Sequence, residues 1–111
     1  MYPQKLLASI IFWGYINYMK TPRSFTFDPA KNQKNIAERD IDFAAAAHFE
    51  FETAVIAIDD RKDYGEVREV ASGFIGNRIH VLVFTMRGEA RHVISLRKAN
   101  KREVKAYVEK I

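Results

Sequence analysis

The sequence predicts an α+β fold: an antiparallel β-sheet of about four to five strands, two N-terminal helices and one C-terminal helix. Three observations predict it. TAVIAI (53–58), EVREVAS (66–72), IHVLVF (79–84) and ARHVISL (90–96) are short β-branched segments separated by turn residues. Asp28-Pro29 and Asp42 open two stretches of helical composition ahead of them. Asn100, with Glu103 three positions on, opens a third, in which Val104, Tyr107, Val108 and Ile111 form one apolar stripe.

Taken in order, the chain starts with LLASIIFWGYI (6–16), an uncharged apolar run of eleven residues. A membrane-spanning helix needs about 20. Only Lys5 precedes the run and no small-x-small cleavage pattern follows it, which argues against a signal peptide. A regular pattern begins at Met19, so the division expected is an apolar extension over 1–18, a non-native segment or a loosely attached arm, and one domain over 19–111. SFTF (24–27) alternates and is aromatic, as an edge strand is. The Asp28 carboxylate can accept free backbone N–H groups at a helix start. Pro29 lacks the N–H that would go unpaired there, and the helix should run through AKNQKNIAER to Arg39. Asp42 should cap FAAAAHF (43–49), which is alanine-rich and helical by propensity. Gly73, Gly76 and Asn77 mark one hairpin and Arg87-Gly88 the next, and short links between sequential strands favour an antiparallel meander. Period two puts Arg91, Val93, Ser95 and Arg97 on one face of the last strand, with His92, Ile94 and Leu96 on the other. It likewise pairs Arg68 with Val70, opposite Val67 and Glu69.

The composition narrows the chemistry. The chain has 111 residues, 48% apolar, with a formal charge of +4, a mild basic excess that suits a polyanion such as RNA. It has no cysteine, which excludes disulfides, thiolate metal sites and a thiol nucleophile and is compatible with a reducing cytoplasm. His48, His80 and His92 lack helical i, i+4 spacing, and DDRKD (59–63) interrupts its carboxylates with Arg61 and Lys62, so no metal and no cofactor is expected. What remains is cations with a few acids and hydroxyls. RNA carries its own nucleophile, the 2′-hydroxyl. A protein need only remove that proton, stabilise charge on the phosphate and see the leaving oxygen protonated. The planar fork of arginine matches two phosphate oxygens. DDRKDYGEVR (59–68) holds seven charges in ten residues and reads as one rim of an anion-binding cleft. Lys98, Lys101 and Arg102 crowd the start of the last helix, where the helix dipole disfavours cations by up to ~1 kcal/mol each, so an anion is expected there.

DPAKNQKNIAERDIDF (28–43), DDRKDYGEVR (59–68) and VISLRKANKRE (93–103), in that order and spacing, resemble the BrnT family of bacterial toxins. These are small ribonucleases of type II toxin–antitoxin pairs with a RelE-like fold. The resemblance runs from about Phe25 to Lys105. Its pattern carries over to Asp28, Lys31, Asn35 and Phe43; to Asp60, Arg61, Tyr64, Gly65, Glu66 and Arg68; and to Ser95, Arg97, Lys98, Ala99, Arg102 and Glu103. The chain departs from it at Glu38-Arg39-Asp40, where the family often has Lys-His-Gly, and at His92, where it often has arginine. The resemblance implies a cytoplasmic, metal-independent endoribonuclease that inhibits translation when free. It also implies a BrnA-like ribbon-helix-helix antitoxin as partner, DNA contact only through that antitoxin, and no membrane. In the reading that follows, Arg68 and Arg97 hold the scissile phosphate and Arg61 positions a neighbouring one. Glu66 or His92 moves protons: His92 is favoured by its intrinsic pKa, Glu66 by membership of the motif. Tyr64 packs, and Lys31, Lys98, Lys101 and Arg102 bind RNA. The alternative is a catalytically inactive module that binds the antitoxin or RNA.

Overall fold

Asp28 and Asn100 start the two α-helices as expected. In the computed structural model, which describes residues 24–111, the Asp28 carboxylate accepts the Ala30 N–H at 2.9 Å. The Asn100 side chain accepts the Glu103 N–H at 2.8 Å while the Glu103 carboxylate accepts the Asn100 N–H at 3.0 Å, a reciprocal cap. The extension over 1–18 lies outside the described residues, as do residues 19–23 of the expected domain.

The elements are β1 (Phe25–Phe27), α1 (Pro29–Arg39), two 3-10 helices (Phe43–His48 and Phe51–Thr53), β2 (Val55–Asp59), β3 (Arg68–Ile75), β4 (Arg78–Arg87), β5 (Ala90–Lys98) and α2 (Lys101–Lys110). The second N-terminal helix is therefore not an α-helix. Asp42 does cap it, accepting the Ala44 N–H at 2.9 Å. However, Phe43, Ala46 and Phe49, three residues apart, all face the core at 1%, 0% and 5% exposure. A 3-10 helix repeats every three residues and puts those three on one line, whereas an α-helix would turn them apart. Packing has overridden alanine propensity.

The sheet has five strands in the order β1-β5-β4-β3-β2. It is mixed, not antiparallel throughout: β2 to β5 form the expected meander, but β1 runs parallel to β5 with Thr26 beside His92. Hairpin arithmetic governs neighbours in sequence, and β1 reaches β5 across the whole intervening chain, so the local pattern carried no sign of its direction.

One sheet face, with Ala71, Leu82, Phe84, Val93 and Leu96, packs against Ile41, Phe43, Ala46 and Phe49. Gly73 lies inside β3 rather than in a turn, since a Cβ there would stand 2.8 Å from the Phe49 ring. The hairpin itself turns on Gly76, at φ +62°. On the opposite face, Val104 and Tyr107 of α2 cover Val55, Val70, Phe74, Ile79 and Val81, and the Tyr107 hydroxyl donates to the Thr53 carbonyl at 2.8 Å. Val108 and Ile111, expected in the same stripe, stay 57% and 74% exposed. Thus α2 covers the half of this face nearest the Gly76 turn, and the half nearest Thr85 carries polar side chains.

A β-bulge completes the frame. Val83 pairs with Ser95 but Phe84 pairs with Val93, so Ile94 has no opposite number. The extra residue reverses which way the preceding side chains of β5 point. Arg91 and Val93 join Leu96 on the core face, with the Arg91 guanidinium 3.8 Å from the centre of the Phe51 ring. His92 joins Ser95 and Arg97 on the other. The strict alternation expected for this strand is corrected accordingly.

Candidate active site: a polar row across the sheet

With the bulge in place, one row of residues crosses all five strands on the face that α2 half covers. Asp59 pairs with Arg68, Thr85 with His92, and His92 with Thr26. Arg68 sits one step beyond the Glu69–Phe84 pair and so beside Thr85, whose hydroxyl donates to the Val67 carbonyl at 2.7 Å. Arg97, beside Val81, is on the same face further along.

The charged connection folds over one end of this row around a single carboxylate. Asp59, its side chain 4% exposed, accepts from Arg61 Nε and Nη2, both at 2.8 Å, and from the Tyr64 hydroxyl at 3.0 Å. The guanidinium of Arg61 holds its carboxyl well below the usual range. Tyr64 thereby spends its hydroxyl on the buried Asp59, whereas a packing residue with a surface hydroxyl would spend it on solvent, and its ring lies 4.1 Å beneath the Arg68 guanidinium. Glu66 accepts from Arg68 Nε at 3.3 Å and lies 3.8 Å from Arg87 Nη2.

The three candidate arginines differ in what their forks hold. Arg61 closes on Asp59, and Arg97 closes on Glu103 through Nη1 at 2.6 Å and Nη2 at 2.7 Å. Arg68 uses only Nε. Among the described residues both of its Nη groups are without a hydrogen-bond partner, with the side chain 25% exposed. His92 accepts or donates one bond, between Nδ1 and Thr26 Oγ1 at 2.8 Å. Burial lowers its pKa below the ordinary value, and Arg87 and Lys31 add to that against the opposing pull of Glu66 and Asp28.

The Arg97–Glu103 pair has a measurable consequence. Arg97 holds the Glu103 carboxyl down to about 2, against an ordinary 4.5. A depressed acid contributes stability that is complete above its unfolded pKa and disappears as pH falls through the folded one. Thermal unfolding followed from pH 7 to 2 should therefore show Glu103→Gln melting below the parent at pH 7, with the gap closing between about pH 4.5 and 2. A gap that stays constant across that range would show that the pair contributes nothing through ionisation.

Of the residues expected at the site, the structure brings Arg61, Glu66, Arg68, His92 and Arg97 to one face. Lys31, exposed on α1, lines a groove with Lys34, Arg39 and Ser95, and its charge reaches His92. Lys98 is not brought in: it pairs with His80 on the other face. Lys101 borders an apolar hollow beside Asn77 and Arg78, and Arg102 is exposed on the first turn of α2. Sequence reasoning missed Asp59, Thr26, Thr85 and Arg87. Asp59 carried a signal, as the acid closing an apolar strand within the charged motif. Thr26 carried none, because its place depends on the parallel pairing.

Residues 27–103 match the model of a family described as the ribonuclease toxin, BrnT, of type II toxin–antitoxin systems. The chain is also similar to the 1.1 Å crystal structure of the Brucella abortus ribonuclease toxin BrnT, at 30% identity and a TM-score of 0.57, over 71% of this chain and 99% of that one. No curated protein matches it.

Proposed function

We propose that this chain, which belongs to the BrnT family of ribonuclease toxins of type II toxin–antitoxin systems, cuts RNA without a metal ion along the polar row of its sheet. The observation that carries this reading is the pair of unengaged Nη groups of Arg68, aimed by Glu66 and seated on Tyr64 in the same row as His92. Such a fork can grip two non-bridging phosphate oxygens and is preorganised for the charge that gathers there.

In this mechanism the 2′-oxygen attacks phosphorus and the bond to the 5′-oxygen breaks. The products are a 2′,3′-cyclic phosphate and a 5′-hydroxyl. His92 takes the 2′-hydroxyl proton, and water protonates the departing oxygen in the open cleft. Glu66 orients Arg68 rather than moving the proton. Arg97 lies two strands and four residues from Arg68, a Cα separation of about 16 Å from standard sheet spacings. That span suits neighbouring linkages of one strand rather than the single scissile phosphate expected for both arginines, so Arg97, Arg61 and Lys31 hold flanking phosphates, with Lys101 and Arg102 further out, while Lys98, on the other face, takes no part. The reading carries with it the RelE-like architecture, a cytoplasmic site of action, inhibition of translation, and neutralisation by a BrnA-like ribbon-helix-helix antitoxin that makes the DNA contacts.

The test is the purified chain with end-labelled RNA in excess chelator. Cleavage leaving cyclic phosphate ends is expected, as is growth arrest on induction that the antitoxin relieves. RNA that is bound and left whole would mean an inactive binding module, and cleavage restored only by a divalent ion would overturn the mechanism.

A further inference from the structure

We infer that Thr26 is a positioning residue for this reaction, which keeps Nδ1 of His92 protonated by accepting its hydrogen bond and so leaves Nε2 as the atom that exchanges protons. The inference rests on the function proposed above for His92. Three features of the fold converge on it. The parallel register sets Thr26 and His92 side by side, the bulge at Ile94 turns the histidine onto the face of Arg68, and the hydroxyl lies 2.8 Å from Nδ1. Nε2 has no hydrogen-bond partner among the described residues.

A hydroxyl can donate or accept, so the tautomer is decided by the bond one nitrogen makes and by the charges around the ring. Those charges are Arg87 at the end of β4, Lys31 and Asp28 at the start of α1, and Glu66 before β3. Arg87 is the strongest among them, and it disfavours the imidazolium. Burial and Arg87 keep the ring neutral near pH 7; in the inferred state Nδ1–H donates to the Thr26 hydroxyl and Nε2 carries the lone pair. During cleavage that lone pair takes the 2′-hydroxyl proton while the O–H electrons remain on the attacking oxygen. The ring becomes a cation whose Nδ1–H bond to Thr26 is now charge-assisted.

The experiment compares the full chain with Thr26→Val, a β-branched near-isostere, and Thr26→Ser, which restores the hydroxyl. Ring ¹⁵N shifts of His92 are followed against pH, and RNA cleavage is measured on the same samples. The parent and Thr26→Ser should show Nδ1 protonated and Nε2 bare in the neutral ring. Thr26→Val should shift toward the Nε2–H form, lower kcat roughly tenfold within the 10²–10⁴ range of a general base, leave KM unchanged and displace the pH–rate profile. An Nε2–H ring in the parent, or a valine variant with the parent's tautomer and pH profile, overturns the inference. A parent that shows the Nδ1–H tautomer yet cleaves no RNA would sink the functional reading and leave the ring placement standing.

Discussion

Arg68→Ala lowers the rate of RNA cleavage by about 10²- to 10³-fold, the range seen when one preorganised donor is removed from a developing oxyanion. Arg61, Arg68 and Arg97, the arginines expected at the site, share the face with Arg87, and the difference between those three lies in their existing partners. Arg61 and Arg97 each lie fork to fork on a carboxylate, so a phosphate reaching either must compete with Asp59 or Glu103. Arg68 offers two Nη groups with no such competitor among the described residues. Arg68→Lys keeps the charge but not the planar fork and should fall between parent and alanine variant. Loss of the contact with Tyr64 and of the part-buried pair with Glu66 costs the fold about 2 kcal/mol, so the alanine variant should stay folded. Single-turnover cleavage with circular dichroism on the same samples separates the two effects. An Arg68→Ala protein as fast as the parent, beside a slow Arg97→Ala protein, would move the scissile phosphate to the Arg97–Glu103 end of the cleft.

The elements that were legible in the sequence are those set by neighbours a few residues apart. Asp28, Asp42 and Asn100 each cap the segment they were expected to cap, because a cap needs only its own next turn. The meander from β2 to β5 was legible for the same reason. Three features were not, and each depends on distant chain. The 3-10 winding of Phe43–His48 is chosen by a core that wants Phe43, Ala46 and Phe49 in line. The direction of β1 is set by β5, and the bulge at Ile94 by the fit of β5 to β4. The candidate site sits where the last two meet. Period two placed His92 opposite Arg97, and one unpaired residue put them on the same face. That is how the charged motifs could be read as a site while the partner of its histidine could not.

Asn35→Leu should destabilise the protein by about 3 kcal/mol, since each buried carbonyl stripped of its partner costs roughly 1–3 kcal/mol. Asn35 is 6% exposed, and its Nδ2 donates to the Ile41 carbonyl and to the Leu96 carbonyl, each at 2.9 Å. β1 pairs with β5 only from Arg91 to Val93, so the Leu96 carbonyl lies past its reach and α1 takes over that edge through this one amide. Leucine fills the volume and donates nothing, which leaves both carbonyls dry and unpaired. A neighbouring amide, Asn32, on the same buried face of the helix, accepts the Phe43 N–H at 2.8 Å and donates to Asp42 at 3.0 Å, so α1 should loosen from β5 before it detaches. Lys31 rides on that helix beside His92, and loosening it should weaken RNA binding as well as stability. Chemical denaturation of Asn35→Leu against Asn35→Asp tests this, because neither variant can serve both carbonyls while only the leucine preserves apolar packing. If the leucine variant matches the parent's midpoint, the Asn35 amide is incidental to the hold on α1.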